Sequence, residues 1–232
     1  MKGLARRKER RCKKTKEEYR KRMDEDNEWA PGWDAIEAEF DRLYPGKEPA
    51  HYGTEIHARA IFGGDNYLDG YSLYDSGEGY QHIVTFGMSE LYTDEEAFGG
   101  EYSRWGYEMT IKLKEEKAED CLWALDMLSN LARYTYTSER FFEAGECVPG
   151  NGTSLHIGTD SAITALITVN DTSAQTLDTV HGQVEFIQFV GITETELDAI
   201  RKDRNNLPVL VERMKNDNPE LITDMKRTFS YL

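Results

Sequence analysis

The sequence predicts a mixed α/β domain of the α+β kind, a single unit with a central mixed β-sheet flanked by helices. Three observations predict it. Apolar residues at period two (Tyr107, Met109, Ile111, Leu113) and apolar residues at helical spacing (Trp33, Ile36, Phe40, Leu43) occur in the same chain. The two kinds of segment are interspersed without strict β-α alternation, which argues against a purely parallel sheet. A hydrophobic content of 39%, with 11% aromatic residues, is rich enough for a packed core.

The elements follow in chain order. The first amphipathic helix runs from Trp33 to Leu43, and Tyr44-Pro45-Gly46 ends it because the residue before proline disfavours the α region. Ile56–Phe62 reads as extended, with a turn at Gly63–Asn66. Tyr71–Tyr74 and Tyr80–Phe86 are short strands around the hairpin-like loop Asp75–Gly79. Tyr107–Leu113 alternates with Glu108, Thr110 and Lys112, a strand with one buried face. Ala118–Tyr134 is a helix whose stripe holds Leu122, Leu125, Leu128, Leu131 and Ala132. Pro149–Gly152 is a loop, and Ala165–Val169 and Val184–Val190 are strands. Thr193 with Glu196 three residues later forms a capping box for the next helix, and Leu207-Pro208 opens another.

Charge divides the chain in two. Residues 1–22 hold twelve basic and three acidic residues, which leaves 16 basic and 40 acidic residues, a net of -24, in the other 210. Residues 1–28 therefore read as a basic N-terminal extension, flexible or helical, with no apolar stripe to bury. It is either a tail that binds a polyanion or a partner, or a solvated extension from an upstream start, Met23 being a second initiator. Residues 29–232 form the domain. Its acidity repels phosphate backbones, so direct nucleic-acid binding by the body is excluded. No apolar run approaches the ~20 residues that span a bilayer, and no apolar segment follows the basic start as in a secretory signal. Three widely spaced cysteines (Cys12, Cys121, Cys147) fit neither a disulfide framework nor a zinc site, and a cytoplasmic location is expected.

Catalytic motifs are missing. The histidines (His51, His57, His82, His156, His181) lack metal-ligand spacing, and no nucleophile elbow, phosphate loop or dinucleotide fingerprint occurs. His82 reads as a structural histidine within a strand, His181 as a possible cap, and Cys121 as core packing. The acidic clusters Asp94-Glu95-Glu96, Glu115-Glu116 and Glu194-Thr195-Glu196 read as solvated surface. No metal or cofactor is expected. Tyrosines and carboxylates concentrate within residues 67–108, where they either pack the core or form an amphipathic, anionic contact surface.

Several segments then resemble a known family. They are Ala30-Pro31-Gly32-Trp33, Leu43-Tyr44-Pro45, Gly63-Gly64 with Leu68–Tyr74, Thr85–Tyr92, Gly106–Leu113, Leu131–Tyr134, Gly182–Thr193 and Leu221–Arg227. Kept in this order, they resemble the N-terminal domain of the Suppressor of fused family, over about residues 29–228. The resemblance implies a central twisted sheet with flanking helices and a non-enzymatic binding protein. In animals the family's namesake sequesters zinc-finger transcription factors of the Hedgehog pathway by clamping a peptide as an added strand between two domains. The chain ends near the limit of the first of these, so the two-domain clamp does not carry over. Stand-alone members look bacterial, and some are regarded as immunity proteins against polymorphic toxins.

The expected function is therefore to mask a basic surface on a protein partner, such as a cognate toxin. The contact residues would be the acidic and aromatic members of the matching segments: Asp69, Tyr74, Glu90, Tyr92, Asp94 and Glu108. Glu108 is expected to point away from a core layer. The alternatives are a scaffold or regulatory binding domain, and a hydrolase or nucleic-acid-processing accessory tethered by the basic arm.

Overall fold

Local chemistry sets where each element begins and ends. The computed structural model describes residues 16–54 and 68–232. The extended reading of Ile56–Phe62 and the turn at Gly63–Asn66 lie outside the described residues. Helix α1 occupies residues 16–25. Helix α2 (Pro31–Leu43) places its proline in the first turn, where a missing N–H costs little, and stops immediately before Tyr44-Pro45. Strands β1 (Ala50–Gly53), β2 (Gly70–Asp75), β3 (Gln81–Phe86) and β4 (Tyr102–Leu113) follow. The predicted β2–β3 hairpin pairs Asp75 with Gln81. Its loop is tied by the Ser76 hydroxyl, which donates to the Tyr80 carbonyl at 2.7 Å.

A 3₁₀ turn (Ala118–Cys121) leads into helix α3 (Leu122–Ser138), so the predicted helix starts in a tighter winding and runs one turn further. Strands β5 (Cys147–Val148), β6 (Ile163–Asn170), β7 (Leu177–Thr179) and β8 (Gly182–Thr193) precede helices α4 (Glu194–Lys202) and α5 (Asn206–Lys215). The capping box forms as read. The Thr193 amide donates to Glu196 Oε2 at 2.8 Å and the Glu196 amide to Thr193 Oγ1 at 3.3 Å.

Among the described residues the sheet has eight strands in the order β1-β2-β3-β4-β8-β6-β5, with β7 beside β8. The β4–β8 pair is parallel and the others antiparallel, which makes the sheet mixed. Side chains alternate between its faces. On one face Tyr71, Leu73, Ile83, Met109, Ile111, Ile187 and Phe189 pack with Ala124, Leu128 and Ala132 of α3. On the other, Tyr74, Val84, Phe86 and Phe186 receive Ile36 and Phe40 of α2 and Tyr44 just after it. Ala165, Ile167, Val190 and Ile192 on that same face receive Leu197, Ile200, Leu210 and Met214 of α4 and α5. Each Leu, Ile, Val, Phe or Met among them contributes roughly 1.5–3 kcal/mol by leaving water.

Between α2 and the α4–α5 pair the second face is polar, and this corrects the reading of β4 as a strand with one buried face. Glu108, Thr110 and Lys112 are all fully buried. The segment after β6 and the chain near residue 220 close over Thr110 and Lys112, and the loop after β3 closes over Glu108. Thr110 donates to Asp171 Oδ2 at 2.6 Å, and the same oxygen meets His82 Nε2 at 2.9 Å. Lys112 donates to Glu220, to Ser173 and to Thr172 Oγ1, and stands 3.6 Å from Asp171. Burial works against the Asp171 charge, but His82 and Lys112 outweigh it and hold this carboxyl well below the usual range. His82, as expected, is a satisfied structural histidine. Burial keeps it below its ordinary pKa, and Nδ1 meets the Tyr44 hydroxyl at 2.8 Å.

Two further readings are corrected. Glu196 is not surface but fully buried. It accepts from Arg227 at 2.7 and 2.9 Å and from the Tyr231 amide at 2.9 Å, which ties the last residues to α4. The basic extension does bury a side chain. Tyr19 of α1 is only 4% exposed, because loop residues distant in sequence supply the pocket that its own helix lacks.

Candidate protein-interaction surface

The loop joining β3 to β4 carries three of the six residues singled out from the sequence, Glu90, Tyr92 and Asp94. Its base is a carboxylate. Glu108 accepts from Thr85 Oγ1 at 2.7 Å, from the amides of Gly87, Met88 and Ser89 at 3.1, 3.3 and 2.9 Å, and from Ser89 Oγ at 2.7 Å. Burial pushes its pKa up to about 7, against the pull of these donors. The Gly87 carbonyl is in turn held by Tyr136 and by Arg104 at 3.1 Å. Further along, the Leu91 carbonyl accepts from the amides of Gly32 and Trp33 at 3.0 and 3.3 Å, satisfying the open start of α2. A Cβ on Gly32 would stand 2.0 Å from the Glu90 carbonyl oxygen, so only glycine permits this approach.

Fixed at both ends, the loop presents an acidic and aromatic rim. Tyr92 is 49% exposed, and its hydroxyl donates to Asp69 Oδ1 at 3.1 Å. Asp69, Glu90 and Asp94 are half-buried. The Glu90 amide donates to Ser103 Oγ at 2.9 Å, and Asp94 Oδ1 accepts from the amides of Glu96 and Ala97 at 2.7 and 3.3 Å. Asp69, Glu90, Tyr92 and Asp94 thus belong to one surface. Tyr74 and Glu108 do not reach it. Tyr74 is 1% exposed and stacks on Phe40 and Tyr44, because it shares a sheet face with Ser72 beneath α2. Glu108 lies inside, under the loop, and shapes the surface without touching a partner.

Helix α1 and His181 complete the surface, and sequence reasoning missed both. The Asp94 amide donates to the Tyr19 hydroxyl at 2.7 Å, and that hydroxyl lies 3.0 Å from His181 Nε2. Nδ1 of His181 faces the Glu90 carbonyl at 3.3 Å, so Nδ1 carries the proton and Nε2 accepts from Tyr19. Burial keeps His181 below its ordinary pKa and neutral. Glu95 pairs with Arg20 and, at 3.7 Å, with Lys16. These contacts bridge distant parts of the chain and leave no local pattern.

Beyond Ser103 the surface continues into an open groove of about 480 Å³. Tyr102, Trp105, Phe141 and Phe142 supply its apolar part and Glu139, Glu143 and Glu185 its acidic part. Tyr102 and Phe141 are 54% and 53% exposed. The buried carboxylates Glu108, Asp171 and Glu196 do not line this groove.

Known proteins share this architecture. A profile of the Suppressor of fused protein (SUFU) matches residues 64–228. The chain belongs to the Suppressor of fused family. Suppressor of fused homologs of Homo sapiens and Mus musculus are each 32% identical over 211 residues, 84% of this chain and 43% of theirs. The chain thus spans less than half the length of these curated relatives. A chain of the Sufu–Fu complex matches with a TM-score of 0.72 and 26% identity, over 87% of this chain and 93% of that one. Drosophila Suppressor of Fused matches with a TM-score of 0.71 and 27% identity, over 87% of this chain and 51% of that one. A SUFU homolog from Neisseria gonorrhoeae, 12% identical with a TM-score of 0.59, shares the fold over 87% of this chain and 97% of its own. Among the described residues no helix is long and apolar enough to cross a membrane.

Proposed function

We propose that this Suppressor of fused domain is a non-enzymatic binding protein that masks a basic surface on a protein partner. The observation that carries this reading is the rigid acidic-aromatic rim of Asp69, Glu90, Tyr92 and Asp94. Carboxylates on a preset backbone attract Lys and Arg and speed encounter, and an exposed tyrosine supplies contact area at low entropic cost. The net charge of -15 adds long-range attraction for such a partner. Family membership and the likeness to a chain of the Sufu–Fu complex support a protein-binding role. The use of the strongly shifted carboxylates as internal anchors supports a role without catalysis. A cognate toxin is one partner of this chemistry, and an immunity protein in the cytoplasm is the corresponding biological role. Residues 29–232 would carry the binding.

The test takes the product of the neighbouring gene as partner and measures its affinity at two salt concentrations. The expected result is affinity that falls with salt and falls again when Glu90 and Asp94 are replaced by Gln and Asn. An affinity indifferent to both changes would remove the electrostatic basis of the proposal.

A further inference from the structure

Helix α1 sets a basic face against the acidic loop. Lys16, Tyr19 and Arg20 stand at i, i+3 and i+4 and so share one side of the helix. Tyr19 is the buried residue among positions 16–25; Lys16 and Met23 are half-buried and the rest exposed. Its ring lies among Phe98, Trp29 and His181, with centroids 4.7, 5.2 and 5.9 Å away. On the rim Glu95 takes Lys16 and Arg20. Among the described residues the helix is held by the inserted Tyr19, by Glu95 on the rim and by the Arg22 guanidinium, 4.2 Å from the centre of the Trp29 ring.

The socket is chemically particular. The Asp94 N–H needs an acceptor and His181 Nε2 needs a donor, within 2.7 and 3.0 Å of a single point. A hydroxyl meets both demands with one atom, and a phenol delivers it at the depth that the surrounding rings define. Phenylalanine would fill the ring space and leave both buried groups unmatched. The acidic rim adds a preference for cations beside that tyrosine.

We propose that Trp29, Asp94, Glu95, Phe98 and His181 form a recognition site for a basic helix that inserts a tyrosine, and that residues 16–25 occupy it as a built-in competitor. A protein partner with a tyrosine flanked by Lys and Arg on one helix face displaces α1 and takes its place. This deepens the reading of the loop as the partner-facing surface, on which it rests.

The test needs no partner, so its failure is separable from failure of that reading. The probe is a labelled peptide with the sequence of residues 13–26, followed by NMR to millimolar concentration. The host is the full chain with Tyr19→Ala and Arg20→Glu, which frees α1 without altering the socket. A helix on a short tether feels an effective concentration of about millimolar, so a docked state favoured about ten to one implies a free-peptide Kd of roughly 0.1 mM or tighter. The peptide is expected to bind the freed host at least about tenfold more tightly than the unaltered chain, whose competent fraction is small. Tyr19→Phe in the peptide is expected to weaken binding at least about tenfold. Glu95→Gln in the freed host, a surface change compatible with folding, is expected to weaken it further. Equal binding to both hosts, no binding to the freed host, or a phenylalanine peptide that binds as well as the tyrosine peptide would each overturn the proposal.

Discussion

Replacing Glu108 by glutamine tests how the β3–β4 loop is anchored. The wild-type carboxyl is fully buried, and its pKa is pushed up to about 7. An unfolded chain would titrate it near ~4.3. Between these values the folded protein holds a proton that the unfolded chain has released, so stability falls as pH rises through the window. Integrated over the whole window, the loss is about 4 kcal/mol, present in full above pH ~7 and absent below pH ~4.3. Glu108→Gln has no such titration. It keeps one carbonyl oxygen for the Gly87 amide and for the amide and hydroxyl of Ser89, and turns an NH₂ group toward Thr85 and the Met88 amide. The assay is urea unfolding of both proteins from pH 5 to pH 8, read as the difference in unfolding free energy, which cancels the groups they share. Wild type is expected to lead at pH 5, and its lead is expected to shrink by up to about 3 kcal/mol by pH 8. A constant difference would refute the reasoning. It would mean that the five donors outweigh burial and keep the carboxyl ionised throughout.

Further outcomes follow from other contacts. Arg227→Met removes the partner of the buried Glu196 and is expected to cost about 3–5 kcal/mol by urea unfolding. Arg227 outweighs burial and holds the Glu196 carboxyl below its usual range. Wild type therefore gains stability from it above pH ~4.3 and loses that gain as pH falls below it, a dependence that the variant should lack. Gly32→Ala forces a Cβ against the Glu90 carbonyl and is expected to cost about 1–3 kcal/mol by thermal or urea unfolding; a neutral result would show that α2 can slide off the loop freely.

Much of the fold was legible because its signals are local. The β2–β3 hairpin announces itself through Asp75–Gly79, α2 through its stripe and Pro45, and α4 through Thr193 and Glu196. The unread parts depend on distant residues. Period two in β4 separates Met109 and Ile111 from Thr110 and Lys112, but does not say that residues 171–173 and 220 will roof the polar side. Strand β5 has two residues and β1 four, too few for any pattern. The candidate surface was half legible. Asp69, Glu90, Tyr92 and Asp94 were grouped because acids and aromatics cluster in sequence there, and the fold places them on one surface. Tyr74 was grouped with them by the same criterion, although its parity in β2 points it under α2. Tyr19 and His181 are 162 positions apart, and nothing near either residue indicates the other.

The parallel pairing of β4 with β8 sets the order in which the molecule can be assembled. All of α3, β5, β6 and β7 lies between these strands, so the central ladder closes only after Gly182–Thr193 has been synthesised. Until then β1–β4 form a meander whose inner edge, Tyr102–Leu113, is twelve residues long and open to mispairing with other nascent chains. Such high contact order slows folding and lengthens this exposure. Glu108 and Lys112 sit on that open edge strand. While uncovered they put charge on it, a gatekeeper during synthesis that later becomes internal wiring.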